Sequence, residues 1–555
     1  MSTQTTCNWL RIALIGLVAV AIAACAPASP AAPAVSDAEP AMSEPAQLRI
    51  GIMGDESTLT PYTYVTGYPG WNLLLLQYDT LYQTDLNGVA QPWLARELSV
   101  SEDGLTVTID LRDDVSWHDG EPFSAGDVKF TVDYFKAHTQ SRFTRALAPV
   151  ESAEVAGEHQ VVLTLTAPTP LFELSVLADV PILPEHIWAG IEDPAAHDFE
   201  NASNVGTGPY RLVEYRPDQY YRFTANPDYF AGAPAVAEIT AIIYADDTGG
   251  LTALQTGEAD MLVRPVLPEQ LELLRASGQI ELAQGALFTT DMLTYDMTKF
   301  PFDRAEVRRA VSLAIDRQEL IDTVYLGAAT PGEAGWIHPA SPFFNDAVVT
   351  EHDPDQARAL LDEAGIIDSD GDGIREAGGA PLKVEFLTPS GNALRLRTAE
   401  VVSEMLRNEI GMDAAVAAVE QATWEDAVWP GFDVAQGRNY DMAMWGWSAP
   451  VQANAVRVTS LIHSDPAIGS LNLSGYASET ADTLAEALNV AVDPDEFADL
   501  LDQVQVQIAT DLPFIMLHYP DGAYAYRNGV HDGWAFMAGQ GIFHKLSFLP
   551  ESARP

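Results

Sequence analysis

The 555-residue chain is 47% hydrophobic and carries 79 acidic against 29 basic side chains, a formal net charge of −50. With 11 Trp, 19 Tyr and 20 Phe it has enough apolar surface for a large core in roughly three or four domain-sized units, so a disordered chain is excluded. A field of that sign argues against nucleic acid and anionic membrane surfaces as partners, while the shortage of lysine fits either salty surroundings, where screening relieves self-repulsion, or an arginine-favouring codon usage.

The two cysteines, Cys7 and Cys25, both stand near the N-terminus. Arg11 precedes the unbroken apolar run Ile12–Ala24, which is short for a membrane span and suits the core of a signal peptide. Ile22-Ala23-Ala24-Cys25 resembles a bacterial lipobox, which implies removal of residues 1–24 and lipidation of Cys25. More than one acyl chain there gives stable anchoring to the membrane. Cys7 leaves with the signal, so the mature chain keeps neither a free thiol nor a disulfide. Residues 25–47, mostly Ala, Pro, Ser and Glu without periodicity, read as a disordered tether.

The first strand is expected at Leu48–Ile52, followed by Leu59-Thr60-Pro61 and a crowd of aromatics, Tyr62, Tyr64, Tyr68 and Trp71. Leu105, Val107, Ile109 and Leu111 then alternate with polar residues, the period of a half-buried strand. A turn through Trp117-His118-Asp119-Gly120 follows, and Ser124 opens an amphipathic helix with Val128, Thr131, Val132 and Phe135 on one side. No nucleophile lies near Trp117 and His118, so they read as a structural turn and not as a catalytic dyad.

This stretch, Ser101–Phe135, resembles the signature of the dipeptide/oligopeptide-type extracellular solute-binding proteins (family 5), the receptor components of ABC importers. The resemblance implies an α/β, two-lobed fold of the type II periplasmic-binding-protein kind with an additional α/β domain. On that pattern residues 48–80, 204–290 and 512–555 form a discontinuous first lobe, 81–203 the extra domain and 291–511 the second lobe. It implies a binding protein and not an enzyme: a monomeric receptor outside the cytoplasm that closes on a small-molecule ligand and delivers it to permease and ATPase subunits. Peptides are the foremost ligand class and oligosaccharides the nearest rival. A secreted hydrolase on the same frame is the alternative of another class, and it lacks a locatable nucleophile or carboxylate pair. The chain holds no HExxH, G-x-S-x-G or Walker motif and no His/Cys metal cluster.

Further along, Asn204–Tyr210 (NVGTGPY) has two glycines but no phosphate-loop continuation and reads as a structural turn. Gly257 is expected to end a helix, and a first interlobe crossing is placed within Gly285–Met297. Asp303-Arg-Ala-Glu306 has capping-box spacing ahead of a buried helix face, Val307, Ala310, Val311, Ala314 and Ile315. Asp316 and Arg317 close the family's "AIDR" landmark and are expected to hold the helix end. Asp353-Pro354 opens another helix. Asp368, Asp370, Asp372 and Glu376 alternate with glycine and can wrap a hard cation, a structural Ca²⁺, although the twelfth loop position is Gly379 where an EF-hand has Glu. No other cofactor is expected. Phe497–Ile508 reads as a helix, and Asp511–His518 as the return crossing.

The ligand site is expected around Tyr440–Met444, a strand, and Trp445-Gly446-Trp447-Ser448 after it. On a strand the two tryptophans would share one face and stack on sugar rings or hold apolar side chains. Ser448 and Asn454 supply neutral hydrogen bonds, Asn392 falls in a loop that contacts the ligand's other end in relatives, and Tyr62 offers a ring from the first lobe. Peptide-binding relatives place an aspartate shortly after this Gly-Trp to pair with the ligand's ammonium group. Here Ala449, Pro450, Val451 and Gln452 stand instead, with Asp291 and Asp441 as possible substitutes. Arg395 reads either as a carboxylate partner or as a solvated helix residue.

Overall fold

The alternation before the Trp-His turn does form a strand: Thr106–Leu111, with Val107, Ile109 and Leu111 buried. The structure, a computed structural model, describes residues 47–66, 68–197 and 204–555. The signal segment, Cys25 and the tether up to residue 46 lie outside the described residues. Thr106–Leu111 pairs antiparallel with Ala95–Val100 and Gln160–Leu165, and Val150–Gly157 completes a four-stranded sheet. Ser124 caps the helix Ala125–Ala137 in a capping box with Asp127, which satisfies donors that the first helical turn leaves open.

The turn between them is structural, as its composition implies. Trp117 is buried, and the His118 backbone N–H donates to Gly206 O at 2.9 Å. The His118 Nδ1 accepts from Gly206 N at 3.2 Å, so Nε2 carries the proton and donates to Gly208 O at 2.9 Å. Burial pushes the ring's pKa down to about 4, and it is neutral. The two glycines serve close approach: a Cβ at Gly206 would collide with Gln77 O, and one at Gly208 would stand 2.5 Å from Leu76 O.

This unit has no core of its own. Val107, Ile109, Phe123, Val128 and Phe135 belong to the same apolar cluster as Leu48, Ile50 and Ile52 of the first strand, Gln47–Met53. That strand lies parallel to Glu238–Tyr244 and Met261–Leu262. In the second lobe the sheet is buried on both faces, and neighbouring residues split between two clusters by strand alternation. Leu293, Phe386, Met442, Met444 and Ile515 enter one; Met292, Leu387, Ala443 and Met516 enter the other.

Both lobes share a 12-stranded sheet among the described residues, and the strand Ile515–Arg527 joins them. Its beginning pairs with Asp291–Tyr295 and its end with Ile280–Ala286. The two crossings therefore run side by side, one through residues 287–290 and the other inside a single strand, where Pro520 pairs with Ala329 and Asp521 with Ala286. The expected lobe boundary at 512 falls short of that point. The apolar run Phe514–Leu517 carries no break, and the mark of the crossing comes after it, in Pro520-Asp521-Gly522.

Two helix starts behave differently. Asp353 caps Pro354–Glu363 as expected, whereas Ala305–Ala314 begins after Arg304 with no side-chain cap. Asp303 belongs to the preceding turn, its N–H bonded to Lys299 O. Asp316 caps Arg317–Leu320, and buried Arg317 donates its Nε to Met516 O at 2.8 Å, tying this helix to the crossing strand.

Candidate functional site

The strand before the Trp-Gly-Trp loop is Met442–Trp445, antiparallel to Asp291–Tyr295 with Trp445 opposite Met292. It ends at Trp445, so strand alternation does not place Trp447. The rings meet because Gly446 turns the chain hard against its neighbours: a Cβ there would collide with Thr290 O, Arg395 Nη2 and Asp291 Oδ1. Trp447 N donates to Thr290 Oγ1 at 2.8 Å, and Thr290 N donates to Trp447 O at 3.1 Å. The aromatic loop is thus pinned to the first crossing.

Trp445 stacks on Trp424 with centroids 4.2 Å apart and planes at 15°. Trp447 meets Trp445 edge-on at 5.8 Å and Trp429 edge-on at 5.7 Å. Trp447 is buried and Trp445 half-buried. The indole N–H groups of all four tryptophans are buried without a hydrogen-bond partner among the described residues. Buried donors are ordinarily satisfied, but Trp117 Nε1 in the structural turn and Trp336 Nε1 stand without a partner among the described residues in the same way, so it is the clustering of the four rings that sets this box apart.

Asp291, the next residue after the pinned Thr290, is 2% exposed. It accepts from Arg395 Nε at 2.6 Å, from the Tyr325 hydroxyl at 2.6 Å and from His518 Nε2 at 3.1 Å. Burial works to raise its pKa, but the charge of Arg395 and the bonds from His518 and Tyr325 outweigh that and hold it at about 2. Burial, and then the Asp291 charge, push the Tyr325 hydroxyl well above its usual range. Asp291 directly follows one crossing and His518 stands two residues ahead of the other, so this node holds the two side by side next to the aromatic loop.

Neither substitute carboxylate is free for a ligand ammonium. Asp291 is spent as described, and Asp441 pairs with Lys299 Nζ at 2.9 Å while accepting from Glu385 N at 2.9 Å. Arg395, far from a solvated helix residue, is the counter-ion of Asp291 and lies 5.8 Å from the Trp445 ring centroid.

Of the residues expected to touch ligand, Trp445, Trp447 and Ser448 come together, and the exposed Ser448 hydroxyl makes no hydrogen bond among the described residues. Asn392 instead caps Ala393–Ile410, accepting from Arg395 N at 3.0 Å, and Asn454 caps a short turn, accepting from Val456 N at 3.2 Å. Tyr62 is spent in packing: its hydroxyl donates to His138 O at 2.6 Å and its ring stacks on Phe135 at 5.6 Å. Trp424, Trp429, Tyr325 and His518 were not singled out from sequence. The Trp pair five apart was readable as a second aromatic patch, whereas nothing local marks Tyr325 or His518.

The acidic loop does converge. Carboxylate oxygens of Asp368, Asp370, Asp372 and Glu376 lie within 4.8 Å of one another. Asp368 accepts from Gly371 N at 2.7 Å and Gly373 N at 3.0 Å, and Glu376 accepts from Ser369 N at 2.9 Å, which holds the loop in shape. The nearby cation Arg375 turns away to Asp362.

The sequence pattern of the bacterial extracellular solute-binding proteins, family 5 middle, matches residues 89–466. Oligopeptide-binding protein AppA of Bacillus subtilis is 26% identical over 507 residues, covering 88% of this chain and 90% of that protein. Protein XP55 of Streptomyces lividans is 30% identical over 485 residues, covering 86% and 84%. Among solved structures, the substrate-binding protein CtaP of Listeria monocytogenes superposes with a TM-score of 0.76 at 24% identity, covering 91% of this chain and 99% of that one. AppA of B. subtilis in complex with a nonapeptide superposes with a TM-score of 0.67 at 23% identity, covering 92% and 100%. Among the described residues no helix is long and apolar enough to cross a membrane.

Proposed function

We propose that this chain, which belongs to the bacterial extracellular solute-binding proteins of family 5, is the lipid-anchored receptor of an ABC importer that captures peptides by closing its lobes. One observation carries the reading. The only connections between the lobes among the described residues run side by side, held so by Asp291 and His518, and carry an aromatic loop of clustered rings at their edge. A site mounted on the crossings can feel a change in lobe angle, and closure follows if ligand contacts are better in the closed state. The names of the B. subtilis relative and of its nonapeptide complex favour peptides. The commitment of Asp291 and Asp441 to internal partners favours peptides held by backbone and side chains over peptides held by a free ammonium group, and it keeps neutral oligosaccharides as the second ligand class.

Mature protein is expected to gain thermal stability with a subset of a peptide and oligosaccharide library, because a ligand present at a hundred times its Kd adds about 2.7 kcal/mol. The same ligands should shrink the radius of gyration in solution scattering. Ligand binding with no change in scattering would remove the closure mechanism, and turnover of peptide or glycoside would replace a receptor with a hydrolase.

Asp368, Asp370, Asp372 and Glu376 serve as a Ca²⁺ clip on the second lobe. Four carboxylates held this close repel one another unless a cation joins them. Calcium is expected to raise the melting temperature and EDTA to reverse it, with Asp370→Asn/Asp372→Asn insensitive to both. An unchanged melting curve in millimolar calcium rules the clip out.

A further inference from the structure

The chain of tryptophan rings does not stop at Trp429. Phe432 meets the Trp429 ring edge-on, centroids 5.2 Å apart and planes at 85°. Rings therefore run in contact from Trp424 through Trp445, Trp447 and Trp429 to Phe432. The tryptophans belong to one apolar cluster of the second lobe, Trp424 and Trp447 inside it and Trp429 and Trp445 packed against it; Phe432 does not. Phe432 is 59% exposed, whereas every other described phenylalanine, tyrosine and tryptophan is buried or half-buried.

Its backbone is as unusual as its exposure. Gly431 and Phe432 stand in succession in the left-handed region, at φ +60° and +57°. Glycine enters that region freely, but a bulky side chain there is strained. Leu326 is also exposed and left-handed, yet it closes a helix, where that conformation is an ordinary ending. Phe432 lies within a tight turn: its N–H donates to Trp429 O at 3.0 Å, and Asp433 N donates to Pro430 O at 3.1 Å. Folding thus bears both backbone strain and the forgone burial of a large ring, and the edge contact with Trp429 leaves most of that ring in water. Strain that folding does not repay is the mark of a position shaped by another task.

Trp429 and Phe432 form a corner, two rings at right angles, one half-buried and one exposed. A third aromatic ring laid on the face of either one presents itself edge-on to the other, and aromatic pairs favour both stacked and edge-to-face contacts. A sugar ring uses a single aromatic face as a platform, so a right-angled corner suits it less well.

We propose that Trp429 and Phe432 are the specificity corner of the receptor, which takes an aromatic side chain of the solute, and that Phe432 sets the preference. The inference rests on the receptor reading above and names its ligand class: peptides that carry Phe, Tyr or Trp. Contact links the corner to the site without a gap, since Trp429 touches Trp447, and Thr290 pins Trp447 to the first crossing.

The test is calorimetric titration of the mature chain and of Phe432→Gly, Phe432→Ala and Phe432→Tyr. The panel holds peptides of one length with Phe, Leu or Ala at each position in turn, together with neutral oligosaccharides. The wild type is expected to prefer Phe over Ala at one position by about tenfold, the worth of an aromatic contact with its burial. That ratio should fall toward one in Phe432→Gly and Phe432→Ala and survive in Phe432→Tyr, which keeps the ring. Without ligand, Phe432→Gly should melt no lower than the wild type, because glycine relieves the left-handed backbone; a ring held for folding would give a clear drop. Equal affinity for Phe and Ala peptides, a wild-type ratio in Phe432→Gly, or a clear drop in its melting temperature would overturn the corner and leave the receptor standing. A loss confined to oligosaccharides, or a dimer in sedimentation that Phe432→Gly abolishes, would replace the aromatic guest with another occupant and overturn the proposal as well. Failure to bind any member of the panel would overturn both corner and receptor.

Discussion

Replacing Arg395 with alanine is expected to cost about 3–5 kcal/mol of folding stability at neutral pH, the usual loss when one partner of a buried ion pair is removed. Asp291 is 2% exposed and would keep only the Tyr325 and His518 hydrogen bonds. The pH dependence separates this from a packing defect. In the wild type Asp291 has its pKa depressed to about 2, below the usual value near 3.9 of an unfolded aspartate. Its contribution is therefore complete above that unfolded value and is lost as pH falls toward about 2. Without Arg395 the dominant remaining influence is burial, which raises the pKa. The variant's deficit should then narrow as pH falls and Asp291 takes up a proton. Urea unfolding of both proteins across pH 4 to 8 checks this; a deficit independent of pH would mean that the arginine acts by bulk alone.

Lys545→Met should be comparably damaging, at about 3–5 kcal/mol. Asp79 and Lys545 are 0% and 1% exposed and lie 2.5 Å apart. Asp79 also accepts from Trp93 Nε1 at 2.9 Å, Tyr229 hydroxyl at 2.8 Å and Thr207 Oγ1 at 2.9 Å. Burial lowers the lysine's pKa and Asp79 partly restores it, so the pair stands or falls together. Removing the cation alone strands a carboxylate among neutral donors, whereas Lys545→Met/Asp79→Asn removes both charges. The double variant should regain most of the loss in the same unfolding assay. A double variant no better than the single one would show that the ammonium group over the Trp93 ring, and not its pairing with Asp79, supplies the stability.

What could be read from sequence was local. Ser124 at the head of its helix, Asp353 with Pro354 and the glycine turn at 206–208 each carry their reason within a few residues, and each formed as expected. Asn392 and Asn454, expected at the ligand, each spend their side-chain oxygen on a cap, the ordinary use of an asparagine ahead of a helical turn. The charged centres were illegible because sequence distance hides them: Arg395 is 104 residues from Asp291, and Lys545 is 466 from Asp79.

The common apolar cluster beneath the first strand and the inserted sheet bears on anyone wishing to build a smaller receptor. Trimming residues 81–203 would not remove an ornament; it would tear Val107, Ile109, Phe123 and Phe135 away from Leu48, Ile50 and Ile52 and leave a greasy wound on what remains. The insertion has become foundation, and a minimal version of this molecule would have to be redesigned from beneath, not pruned from above.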